Sequence, residues 1–233
     1  PFNALHDGNG YLIERYSVRQ LPSASVLKYL KGVKPQTTGT LLAFGNPDLG
    51  DPQLDLKYAQ AEAQNVAKVM PNSKALVRRE ASESAFKRYG EGFKYLHIAS
   101  HGTFNADSPL TSALLLAKDS ANDGTLTVGE LYSMRLNADL VTLSACETGL
   151  GKIANGDDVV GLTRGFLYAG SRSIVASLWK VDDEATAYLM TRFYSALKGT
   201  SKREALRLAQ IETRKKYPHP YYWAAFQLTG EAS

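Results

Sequence analysis

Short apolar runs alternate along most of this chain with segments whose apolar residues recur every three or four positions. No other feature restricts the fold as much. Residues 40–44 form an apolar run closed by the turn signal Gly45-Asn46-Pro47. Leu56, Ala59, Ala63, Val66, Ala67 and Met70 then share one helical face, and Pro71 stops it. The strand pattern returns at 75–77, 95–99, 140–145 and 173–178. Between these runs lie a short helix over 82–89 and the stripe Val159, Leu162, Phe166 and Leu167, closed by Gly170. A stripe through Tyr188 or Leu189, Phe193 and Leu197 ends at Gly199, and Ser201-Lys202-Arg203-Glu204 is a capping-box signature opening a last helix. Such alternation implies right-handed crossovers and a mostly parallel sheet covered by helices on both faces. In sheets of that kind a site belongs beyond the carboxyl ends of the strands.

Three smaller signals complete the reading. Gly8-Asn9-Gly10 separates strand-like runs at 2–5 and 11–18, which predicts a hairpin at the N-terminal edge. Residues 112–117 and 125–128 flank Asn122-Asp123-Gly124 as a second small hairpin, and 222–228 is a final strand. With 233 residues, 44% of them hydrophobic, the chain suits a single domain over 1–233, its 1–33 segment forming the edge and 34–233 the core. It opens at Pro1 without a Met, so a longer parent chain is expected.

A net charge of +4 carries no nucleic-acid signal. No run of about 18 apolar residues predicts a membrane span, and no signal-peptide pattern opens the chain. The single cysteine, Cys146, excludes an internal disulfide and a cysteine zinc cluster. A reducing, cytoplasmic setting fits this usage. On its own, a lone cysteine is more often a small buried hydrophobe than a reactive thiol.

Its placement changes that. The run Tyr95-Leu96-His97-Ile98-Ala99-Ser100 delivers His101, and Leu140-Val141-Thr142-Leu143-Ser144-Ala145 delivers Cys146. If the two strands are parallel, both residues emerge at one sheet edge. A thiol is a poor nucleophile until deprotonated, and a neighbouring imidazole can take the proton and later return it to a leaving amine. Gly102 follows His101 directly, so bare backbone can approach a scissile carbonyl, and its N–H with that of Cys146 would form an oxyanion hole. His97, flanked by Leu96 and Ile98, reads as a core histidine instead. His6 and His219 have no motif around them.

Rival chemistries fail on spacing. A phosphatase loop needs Arg six residues after the cysteine, where Lys152 stands. Gly151-Lys152 is followed by Ile153 rather than Ser or Thr, so there is no P-loop. There is no G-x-S-x-G elbow, and thioredoxin-like chemistry needs a second cysteine.

His101-Gly102 after one strand and Ser144-Ala145-Cys146-Glu147-Thr148-Gly149 after another resemble the caspase-like peptidases. The nearer resemblance is to the CHAT domain, the caspase-type domain associated with tetratricopeptide repeats. Leu21-Pro22-Ser23-Ala24-Ser25, Gly161-Leu162-Thr163-Arg164-Gly165-Phe166-Leu167 and Ser177-Leu178-Trp179-Lys180-Val181-Asp182-Asp183 support it, and the last also looks like the corresponding stretch of separases. The resemblance implies a caspase-like three-layer α/β sandwich, a His101–Cys146 dyad with the Gly102 and Cys146 amides as oxyanion hole, and hydrolysis of a protein or peptide partner. It implies no metal and no organic cofactor. It also implies upstream repeat or sensor domains, or another activating protein, as partners.

Around the dyad the expectations are finer. By resemblance to separases, Asp183 would sit at the floor of the primary specificity pocket and pair with a basic P1 side chain. Its bland reading is a first-turn acid complementing a helix dipole. Asp157 and Asp158 are weaker pocket candidates that also suit helix capping. Glu147 stands where caspases carry Arg, which removes a cation associated with cleavage after aspartate. Gly149, Gly151 and Gly156 make a substrate-gating loop one reading of the segment after Cys146 and an ordinary surface loop the other. Trp179 and Trp223 read as packing residues. Two other functions stay open: a binding or regulatory module without turnover, and a thiol amidase acting on a small amide.

Overall fold

A computed structural model describes residues 1–26, 28, 37–105, 107–144, 146–147, 158–179 and 181–233, with backbone alone at 146, 147 and 158–160. The Gly149, Gly151 and Gly156 loop and Asp157 lie outside the described residues.

The apolar runs become the strands of one sheet. In chain order these are β1 (Gly39–Pro47), β2 (Ser73–Arg78), β3 (Phe93–Ala99), β7 (Leu140–Leu143), β9 (Ser173–Ser177) and β10 (Phe226–Gly230). They lie in the order β10-β9-β7-β3-β1-β2, and every neighbouring pair is parallel except β10 with β9. Successive side chains on a strand point to opposite faces. Both faces are buried, so both sets must be apolar, and the runs read as continuous rather than alternating.

Two helical layers cover those faces. In chain order the helices are α1 (Leu12–Arg15), α2 (Ala59–Val69), α3 (Glu83–Tyr89), α4 (Val128–Leu131), α5 (Asp158–Tyr168), α6 (Asp183–Leu197), α7 (Lys202–Lys216) and α8 (Pro220–Trp223). Leu41 and Ala43 of β1 pack with Ala63 and Val66 of α2, Phe193 and Tyr194 of α6, and Leu206 of α7. Leu42 and Phe44 face the other way, onto Phe86 of α3, Leu131 of α4 and Phe166 of α5. The three-layer α/β sandwich expected from the sequence is the fold observed. Gly45 lets α2 approach β1 closely, since a Cβ there would stand 2.5 Å from Ala63 Cβ and 2.7 Å from the Ala59 carbonyl oxygen.

A second, four-stranded sheet sits at the carboxyl ends. Its members are β4 (His101–Thr103), β5 (Ala113–Leu115), β6 (Thr125–Thr127) and β8 (Cys146–Glu147), in the order β6-β5-β4-β8. The β5–β6 pair is the hairpin predicted around Gly124, which takes a φ of 90°.

The N-terminal hairpin is not formed. Phe2–Ala4 is a 3-10 turn and Leu12–Arg15 is α1, and a single antiparallel bridge, His6 to Tyr11, remains of the expected pairing. Tyr11 N–H donates to the Glu14 carboxylate at 2.6 Å, which favours a helical turn over extension. Apolar Ile13 is then buried beside Trp223. The last strand also starts later than predicted, at Phe226, because Pro220 opens α8.

Candidate active site

The site begins where β3 and β7 end. Those strands pair in parallel register through His97↔Thr142 and Ile98↔Leu143. The Ser144 N–H still donates to the Ile98 carbonyl at 2.9 Å, and the Ser100 hydroxyl, fully buried, donates to the Leu115 carbonyl of the small sheet. Three residues beyond the last ladder pair, the chains pair again as β4 and β8, with His101↔Cys146 and Gly102↔Glu147. The register is therefore kept, residue for residue, across the step from large sheet to small. Neighbouring strands run about 4.8 Å apart, so the backbones of the two predicted dyad residues stand side by side at the sheet edge where α/β sites form.

His101 is buried, with 8% of the residue exposed. Its Nε2 lies 2.7 Å from the Leu54 carbonyl oxygen. A carbonyl only accepts, so Nε2 carries a proton, and in the neutral form of the ring the lone pair is therefore on Nδ1. That Nδ1 is buried and has no hydrogen-bond partner among the described residues. An imidazole held by one nitrogen, with the other bare, is arranged to exchange a proton.

Leu54 ends a 3-10 turn, Pro52–Leu54, whose N-cap Asp51 accepts from the Gln53 N–H at 2.9 Å. Carbonyls at the end of a helical turn lack internal partners, so the Leu54 oxygen is available to the ring. This main-chain contact was not foreseen. Asp51-Pro52 marks a turn in the sequence, but nothing in the residue types tells which side chain its carbonyl will face.

The other predicted residues fall as follows. Gly102 is flanked by Leu114 on β5 and Glu147 on β8. Asp183 is the first residue of α6 and half-buried, while the N-cap role belongs to Asp182, which accepts from the Ala185 N–H at 2.9 Å. Asp158 is the first residue of α5. Trp179 packs against the core and donates to the Tyr221 carbonyl at 3.1 Å. His97, fully buried in β3, is a core residue: its Nε2 is 2.9 Å from a Glu62 carboxylate oxygen, though the ring N–H is not aligned on that atom, so the contact is electrostatic rather than a directed hydrogen bond.

This parallel sheet between two helical layers, with a histidine and a cysteine in register at its carboxyl edge, is the fold of the caspase-like cysteine peptidases. The chain belongs to the CHAT domain family, which matches residues 1–231. Tetratricopeptide repeat protein 28 of Homo sapiens is 25% identical over 99% of this chain, and its Mus musculus counterpart is 36% identical over 45% of it. The chain covers only 11% and 4% of the length of those relatives. Among solved structures, the separase of the Saccharomyces cerevisiae separase–securin complex superposes with a TM-score of 0.61 at 15% identity, over 93% of this chain and 14% of that one. The Arg-specific cysteine proteinase gingipain R gives 0.55 at 10% identity, over 85% of this chain and 49% of that one.

Proposed function

We propose that this domain is a cysteine endopeptidase whose nucleophile is Cys146 and whose proton carrier is Nδ1 of His101. The observation that carries the reading is the registered His101↔Cys146 pair, combined with a buried imidazole whose Nδ1 is unpartnered. His101 Nδ1 takes the thiol proton, and the imidazolium keeps its Nε2–H on the Leu54 carbonyl. The thiolate adds to the scissile carbonyl. Collapse of that adduct breaks the C–N bond, and Nδ1–H gives its proton to the departing amine. Water then attacks the thioester, passing a proton to Nδ1, and the carboxylic acid leaves the sulfur.

Gly102 and Cys146 N–H groups are the proposed oxyanion donors, a contribution of a few kcal/mol. Among the described residues, a Cβ at Gly102 would meet nothing nearer than 3.5 Å, so packing does not demand a glycine there and close approach of substrate gives it a reason. Asp183 at the start of α6, beyond the carboxyl end of β9, is the proposed acidic floor for a basic P1 side chain; Asp157, Asp158 and Glu147 are secondary candidates for that role. The repeat-bearing relatives support control by an upstream repeat domain or activating protein. A reducing compartment such as the cytoplasm would keep the thiol free, and among the described residues no helix is long and apolar enough to cross a membrane.

The test is cleavage of fluorogenic peptides with Arg, Lys, Asp, Leu or Met at P1. Cys146→Ala and His101→Ala should each abolish turnover while the fold persists. Activity greatest after Asp defeats the Asp183 assignment. A binding module without turnover predicts instead that a peptide-bearing thiol trap labels Cys146 no faster than it labels His101→Ala.

A further inference from the structure

The histidine is held by a carbonyl, and the carbonyl by a loop, so something must hold the loop. Residues 48–58 leave β1 and enter α2, and they present Leu54 to the His101 ring. Two non-glycine residues with left-handed backbone flank that loop: Asn46, with φ 46°, near the end of β1, and Arg78, with φ 52°, at the end of β2. Side chains other than glycine disfavour this region, and such outliers persist where surrounding contacts enforce them. Here the contacts are explicit. The buried Asn46 side-chain oxygen accepts from the Leu56 N–H at 3.0 Å. The Arg78 guanidinium reaches Asp55 with one terminal nitrogen at 2.5 Å and Asp48 with the other at 3.9 Å. Asp55 is the residue after Leu54.

We infer that Arg78 is a positioning residue for the dyad: its guanidinium ties both ends of the loop to the end of β2 and so aims the Leu54 carbonyl at His101 Nε2. This rests on the peptidase reading above. An arginine suits the task because its planar fork reaches two carboxylates from different nitrogens, which a lysine does not. The left-handed turn at Arg78 directs the fork at a loop that follows the neighbouring strand, where β1 and β2 have just shifted register between Gly45 and Pro47. Arg79 provides the contrast. It also contacts Asp48, at 3.2 Å, but its side chain is 91% exposed and it makes no contact with Asp55.

The experiment uses Cys146 as its own reporter, since it is the sole cysteine. The pH dependence of alkylation by iodoacetamide is measured for the wild type, His101→Ala, Arg78→Gly, Asp55→Asn and Arg79→Ala, with thermal melts alongside. Arg78→Gly removes the guanidinium while accepting φ 52° without strain, and Asp55→Asn breaks the pair without touching the backbone. Both are expected to melt close to the wild type. Both should lose about fivefold of alkylation rate at neutral pH, the most an exposed ion pair usually carries, with the profile displaced toward that of a free thiol near about 8.5. Arg79→Ala should reproduce the wild type. If Arg78→Gly and Asp55→Asn follow the wild-type profile while His101→Ala loses it, Arg78 has no positioning role. An Arg79→Ala profile matching Arg78→Gly also overturns the inference, since the effect would then be one of general charge. If His101→Ala itself matches the wild type, the dyad reading fails and this inference falls with it.

Discussion

Two histidines four residues apart show how environment assigns roles to one residue type. His97 is enclosed: Glu62 lies against Nε2, and the Tyr194 hydroxyl is 3.4 Å from Nδ1 while donating to Thr142 Oγ1 at 2.9 Å. Burial pushes the Tyr194 hydroxyl far up, so it stays protonated and serves as a donor. His101 keeps one nitrogen bare at the mouth of the sheet. Glu62→Leu therefore removes the carboxylate that lies against a sealed imidazole and leaves that ring's polar nitrogen facing a hydrocarbon, and it should cost about 1–3 kcal/mol in urea unfolding while leaving the alkylation profile of Cys146 unchanged. An altered profile would place His97 in the proton-transfer chemistry. The division between the two histidines was legible in the sequence, because Leu96 and Ile98 frame one and a glycine follows the other. The Leu54 carbonyl was not, since every residue carries one and only the folded path of residues 48–58 selects it. The Arg78 ion pairs were hidden for the same reason, as 23 residues separate Arg78 from Asp55.

Elements buried on two faces were the most legible part of the fold. The strands from β1 to β9 in the large sheet, and α2, α5, α6 and α7, match the expected runs to within a few residues, because continuous apolar strands and one-faced helices leave no other way to bury their surface. The N-terminal hairpin failed because Gly8-Asn9-Gly10 supplies a turn but says nothing of what the flanking residues do. Ile13 reaches the core through a helical turn as readily as through a strand. β4 and β8 were implied only as strand ends, and at three and two residues they have too few positions to show a period. Close packing between elements gives a separate prediction. Gly45→Ala forces a methyl onto α2 backbone and Ala63, and should destabilise by about 1–3 kcal/mol in thermal melts. Gly199→Ala, at the end of α6, meets nothing within 4 Å and should fall within about 0.5 kcal/mol of the parent. Equal effects would mean that α2 can shift away from β1.

Across the whole molecule, both chain ends are fastened to the antiparallel side of the sheet. Near the C-terminus, Glu231 lies 2.9 Å from the buried ammonium of Lys202, which also holds Asp139 at the start of β7. Burial alone would raise the Glu231 carboxyl, but the Ser233 hydroxyl and N–H, with Lys202, lower it from its ordinary 4.5 to about 2. A carboxyl depressed in the folded state adds stability that is complete above its unfolded value, and this is lost as pH falls through the folded one. Urea midpoints should therefore drop between about pH 4.5 and 2, and Glu231→Gln should flatten that slope. At the other end, residues 19 and 20 cover the outer edge of β10. Gln20 N–H donates to the Leu228 carbonyl at 2.7 Å, Gly230 N–H donates back to the Gln20 carbonyl at 3.0 Å, and Arg19 reaches the Gly230 carbonyl at 3.2 Å. Arg207 of α7 anchors the segment through the Ile13 and Glu14 carbonyls at 2.8 and 2.6 Å. An uncovered strand edge is a template for pairing with another copy. Removing residues 1–20 should thus leave a folded sheet whose β10 edge pairs between molecules, seen as concentration-dependent association in sedimentation velocity beyond that of the parent chain. Unchanged sedimentation in the folded, shortened protein would mean that the twist and side chains of β10 protect the edge on their own.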